Sequence, residues 1–116
     1  MNWLRVGGVL MALGVAAGAF GAHGLRERVS PEMLAVWKTG ANYHMLHAMA
    51  LVLLGAGLQD KISQPQICGW LFTIGILFFA GSLYAMTLTG LGWLGALTPL
   101  GGLCFIGAWL VLAISA

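Results

Sequence analysis

From Ile62 onward the chain carries no charged side chain, and Arg5 is the only one before His23. Stretches of that kind are compatible with one solvent. A hydrocarbon layer about 30 Å thick takes roughly 20 apolar residues per helical crossing, because every backbone N–H and C=O must be paired inside the segment. The 116 residues, 60% hydrophobic and 7% charged with a mean hydropathy of +0.95, leave room for four such crossings and short connections. A water-soluble domain of this length does not have that composition. The expected fold is all-α and integral to a membrane: a four-transmembrane-helix antiparallel bundle with a short interfacial helical extension before the second span. It forms a single transmembrane domain over residues 1–116, with spans at about 3–22, 39–58, 66–89 and 99–115.

The boundaries follow from caps and prolines. Arg5, an apolar run and Ala17-Gly18-Ala19 imitate a secretory signal, but the segment is expected to stay as the first span, with Trp3 and Arg5 as interfacial anchors. Ser30 is placed to cap a helix whose first residue is Pro31, where no donor is needed. A helix from there to about Leu58 is roughly 42 Å long, so its first turns, with Trp37 and Lys38, are expected among the headgroups, and Gly40 offers a bend. Pro65 starts the third span. Thr98-Pro99 starts the fourth, with a single kinked span from Leu91 as the alternative.

Four antiparallel spans put both termini and the Gln59–Gln64 connection on one side, and the connections near His23–Val29 and Gly90–Leu97 on the other. Arg26, Arg28 and Lys38 then face Arg5 and Lys61 across the membrane, a balance too even to orient the chain by its positive charge. The net charge of +2 calls for no nucleic acid and no strongly anionic surface. The partners expected are the lipid bilayer and either further copies of the chain or a larger membrane complex. Cys68 and Cys104 fall at depths differing by about 20 Å, so no disulfide is expected between them.

Against this background Ala41-Asn42-Tyr43-His44-Met45-Leu46-His47-Ala48 stands out. It places an amide, a phenol and two imidazoles on little more than one and a half turns. Ionisable groups at membrane depth are costly and face protein or water, so the face shared by His44 and His47 is expected to point into the bundle. His23, Tyr84 and the hydroxyls of Thr87, Thr89 and Thr98 fall in the same leaflet in this topology, which makes His23, Asn42, Tyr43, His44, His47 and Tyr84 the candidate binding cluster. Three uses compete. The cluster pins helix ends by hydrogen bonds; it forms a vestibule for a small ligand, lipid headgroup or proton; or His23, His44 and His47 hold a metal ion or haem. No carboxylate or cysteine accompanies the histidines, no motif calls for a cofactor, and Ser82 has no acid–base partner, so catalysis has little to build on. A structural or accessory protein is the leading reading, and a ligand-, lipid- or metal-binding module the alternative. Gly14, Gly18, Gly21, Gly81 and Gly101 are the expected points of close helix approach.

These residues also carry a resemblance. Gly18-Ala19-Phe20-Gly21-Ala22-His23-Gly24-Leu25, the Asn42–His47 stretch, Gly81-Ser82-Leu83-Tyr84, Thr98-Pro99-Leu100-Gly101-Gly102 and Gly107-Ala108-Trp109 resemble the domain-of-unknown-function 423 family, small bacterial inner-membrane proteins of the YgdD/YwdK type. The resemblance implies a four-span fold and no established activity. Ala108 stands where the family pattern suggests a glycine, one small residue for another.

Overall fold

The computed structural model describes residues 1–116, all of them helical or in short connections. Four α-helices follow in order: α1 (Trp3–His23), α2 (Pro31–Ala56), α3 (Pro65–Thr89) and α4 (Thr98–Ser115), with short 3₁₀ turns at Leu58–Asp60 and Gly92–Ala96. Asn2 caps α1 through its side-chain oxygen on the Arg5 N–H, and Ser30 caps α2 through the Met33 N–H. Pro31, Pro65 and Pro99 each sit in the first turn of a helix. Gly90 ends α3 in the left-handed conformation, φ +74°, that glycine adopts without strain. Three segments are long and apolar enough to cross a membrane: Trp3–His23, Pro65–Thr89 and Gly92–Ser115. α2 is the longest helix, but Asn42, Tyr43, His44 and His47 dilute its apolar character.

Consecutive helices are neighbours in space, α1 on α2, α2 on α3 and α3 on α4, in a flattened molecule measuring 46 × 25 × 18 Å. Sequence repeats set the α1–α2 seam. Gly7, Gly14 and Gly21 recur every seven residues and lie against Leu51, His44 and Trp37, which recur every seven residues in the opposite direction. A methyl group on Gly7 would stand 2.6 Å from the Val52 nitrogen, and one on Gly55 would meet the Leu4 backbone, so the two main chains touch. On the other side of the molecule Gly101 lies against the Phe79 backbone, and Gly75 receives the Phe105 ring.

Several expectations change. Gly18 makes only ordinary contact with Met45, and Gly81 meets nothing within 4 Å, so neither is a tight packing point; Gly7, Gly55, Gly69 and Gly75 are. Trp3 is no interfacial anchor: its ring fills the space left by Gly69 and is 1% exposed. Trp37 is buried against Gly21, and its Nε1–H donates to the Ala17 carbonyl at 2.7 Å. Position near a helix end points both indoles to the headgroups, but each faces a glycine on a neighbouring helix, and filling that notch buries more apolar surface than the headgroup layer would. α2 runs unbroken through Gly40, which accommodates Leu83 and Tyr84 of α3.

Candidate functional site

α2 is the inner wall of the molecule, and its two buried histidines look in different directions. His44 faces the α1–α3 side and His47 the α3–α4 side; both are at most 5% exposed. Three residues apart on a helix, they diverge by about 60°, enough to place them in separate environments.

The partners of each ring determine its protonation. His44 Nε2 lies 2.7 Å from the Leu10 carbonyl oxygen, which only accepts, so Nε2 carries a proton and donates it. His44 Nδ1 lies 2.9 Å from the Tyr84 hydroxyl, which donates to it when the ring is neutral. His47 has the reverse arrangement. Its Nδ1–H donates to the Tyr43 carbonyl one turn back at 2.7 Å, and its Nε2 accepts from the indole N–H of Trp109 at 3.1 Å. An indole nitrogen only donates, so His47 is held as the neutral Nδ1–H tautomer. His44 has more latitude, because a hydroxyl can also turn and accept.

Packing reinforces the two settings. His47 stacks on Phe105 with ring centroids 3.6 Å apart and planes 4° from parallel, and Phe72, Trp109 and Tyr43 complete the enclosure. Tyr84 also lies against Trp37, centroids 4.5 Å apart, so the side chains that bond α1 from α2 share one aromatic cluster. Near the α3–α4 connection Ser82 donates or accepts a short bond with Thr98 at 2.6 Å, and Thr87 bonds its own helix at Leu83 and reaches the Met33 carbonyl of α2.

The expected cluster is therefore only partly assembled. His44 and Tyr84 meet, and His47 stacks near Tyr43. His23 is exposed at the end of α1, nine residues beyond Gly14 and so about 14 Å along the axis from His44. No three His, Cys, Asp or Glu side chains gather where they could hold a metal ion. Asn42 is exposed and bonds nothing in the chain. Depth differs from expectation too. Leu10 and Gly14, which flank the midpoint of α1, are the residues that His44 touches, so His44 lies level with the middle of α1 and not with its end. The cause is the seven-residue register, which pairs α1 with α2 from Trp37 onward and draws that turn into the bundle.

Trp109, Phe105 and the Leu10 carbonyl also belong to the site; the sequence names Trp109 only within the Gly107-Ala108-Trp109 resemblance, with no role, and singles out neither of the others. An indole in the middle of an apolar helix, needing one acceptor, was the available signal for Trp109. Cys68 and Cys104 are both free.

The family described as a protein of unknown function, DUF423, matches residues 17–102. The chain is 44% identical to the UPF0382 membrane protein YwdK of Bacillus subtilis, over 98% of its own length and 94% of that protein. It is 42% identical to a UPF0382 membrane protein of Staphylococcus haemolyticus, over 97% and 93% of the two chains, and 40% identical over the same shares to one of Staphylococcus epidermidis. No solved structure matches.

Proposed function

The chain belongs to the DUF423 family of membrane proteins, and we propose that it is a four-span antiparallel protein of the bacterial inner membrane with a structural or accessory role, in which His44 and His47 clamp the helices together. One observation supports the clamp over a metal or haem site: all four nitrogens of His44 and His47 already have protein partners, two of them backbone carbonyls. A ring so occupied offers no lone pair to an ion. Crossing by α2 is supported by its length and by its position between α1 and α3, each apolar enough to span. Flanking helices shield His44 and His47 from lipid, which is the condition for ionisable groups at that depth.

Elemental analysis and an optical spectrum of the purified protein test the clamp directly. Stoichiometric metal or a haem band that disappears in His44→Phe or His47→Phe overturns it; metal-free protein whose melting temperature falls in both variants supports it.

A second reading rests on a groove of about 390 Å³ that opens sideways beside His47, lined by Tyr43, Leu46, Phe79, Phe105 and Trp109. Its walls suit a lipid chain or another apolar guest. Mass spectrometry of protein released from native membranes checks this. A lipid retained by the native chain and lost in Gly102→Leu, which fills the groove, supports the reading; equal retention by both removes it.

A further inference from the structure

α2 leaves one face uncovered, and its pattern is regular. Ala35, Thr39, Asn42, Leu46, Met49, Leu53 and Ala56 are all exposed, and their spacing alternates four and three throughout. Beyond the first turn only Lys38 and Tyr43 are exposed elsewhere on this helix. Apolar residues at that alternation form the seam along which two helices wrap left-handed around each other. Such a crossing, near +20°, is the common one in membranes.

Asn42 is the informative member. Its depth follows from the α1–α2 register: if His44 sits at Gly14, Asn42 lies level with about Ala16, well inside the apolar length of α1. The amide has two donor hydrogens and an acceptor oxygen, none of them used within the chain. Left against lipid tails, these groups would lose their hydrogen bonds to water with nothing in return. Thr39, also on this face, is satisfied by the Ala35 carbonyl of its own helix at 3.0 Å, so Asn42 alone on the seam requires a partner from outside.

We propose that this face is the interface with a second copy of the chain, related by a twofold axis along the membrane normal, with Asn42 of each copy hydrogen-bonded to Asn42 of the other. An amide is its own complement: one carbonyl accepts from the opposing NH₂ and the reverse. On an isologous interface with the helices parallel, each seam residue lies nearest its own equivalent, so the two amides meet at equal depth. A buried asparagine in a helical seam fixes register and partner number. An antiparallel pair that overlaps the whole seam places Asn42 level with Met49, where nothing answers it, whereas the parallel pair keeps the full overlap and the amide pair together. The proposal rests on the reading that α2 crosses the membrane, and it gives the accessory role a definite form, a dimer with the two α2 helices at its centre.

The test uses the full chain in native membranes, with Cys68→Ala and Cys104→Ala to clear the background and single cysteines placed along α2. Cysteines at Thr39, Leu46, Met49 and Leu53 are expected to cross-link copy to copy on mild oxidation. Those at Leu13 of α1 and Leu110 of α4, equally exposed, are expected to stay monomeric. Asn42→Leu should raise the dimer dissociation constant roughly tenfold, and Asn42→Gln should restore most of it. Cross-linking that is absent from α2, or no stronger there than on α1 and α4, overturns the proposal, as does undiminished association of Asn42→Leu. A water-soluble, membrane-impermeant thiol reagent separates the two layers of the argument. If it labels Leu46→Cys in sealed vesicles, α2 does not cross and the spanning reading itself fails; if Leu46→Cys is shielded yet uncross-linked, only the dimer fails.

Discussion

His44 and His47 are three residues apart in one helix and chemically unlike, because each is defined by what its second nitrogen meets. His47 accepts from Trp109, a group that cannot reverse, whereas His44 faces a hydroxyl that can. Solution ¹⁵N spectra of imidazole-labelled protein in detergent are therefore expected to give two neutral rings of opposite tautomer, His44 with the proton on Nε2 and His47 with it on Nδ1; one shared tautomer would contradict the geometry. Energetics should follow. His47→Phe keeps the stack on Phe105 but leaves the Trp109 N–H without an acceptor, a loss of about 1–3 kcal/mol, measurable as reduced resistance to denaturation in mixed micelles. Combining it with Trp109→Phe should recover part of that loss, since the orphaned donor is then gone. The histidines were legible in the sequence as polar groups that lipid will not tolerate. Their partners were not: the Leu10 carbonyl has no side-chain signature, and Trp109 lies 62 residues from His47.

Among the helices, glycine marks where backbones touch, though only some glycines do so. Gly7, Gly55 and Gly101 each face main-chain atoms of the neighbouring helix, which cannot move aside as a flexible side chain can. Gly7→Ala and Gly101→Ala are expected to destabilise the protein by more than 1 kcal/mol. Gly8 and Gly81 have nothing within 4 Å of an added methyl group, so Gly8→Ala and Gly81→Ala should be neutral or stabilising by up to about 1 kcal/mol, the difference in helix propensity. Melting curves of the four variants in one detergent distinguish these groups. Sequence spacing brought out Gly14 and Gly21 because they repeat within one helix; it could not sort Gly81 from Gly101, which depends on where another helix lies. The prolines were easier to read. Pro31 and Pro65 begin helices for a local reason, the missing donor, that needs no tertiary information.

For the molecule as a whole, the connections define two ends. Ser63 donates its backbone N–H to the Ser115 carbonyl at 2.9 Å, so the α2–α3 connection and the last turn of α4 are held together. In inside-out and right-side-out vesicles, cysteines at Glu27 and Ser63 are expected to react with an impermeant reagent from opposite faces; labelling from the same face would mean that α2 turns back within the membrane. The apolar runs mark three segments long and apolar enough to cross, while α2 falls outside that group because the polar side chains that serve the interior lower its hydropathy. The matched repeats of α1 and α2 have a wider consequence. Sterically, Gly7, Gly14 and Gly21 are interchangeable notches, and sliding α1 by one repeat, about 10 Å, would still leave glycines opposite two of the three side chains they now receive. Shape alone therefore permits more than one reading frame for this bundle. The imidazole at Leu10 and the indole at Ala17 do not choose between these frames, because after a slip of one repeat the donors on α2 would again find carbonyls; the seat of Trp3 on Gly69 does, much as a start codon does, because it has no counterpart one repeat away.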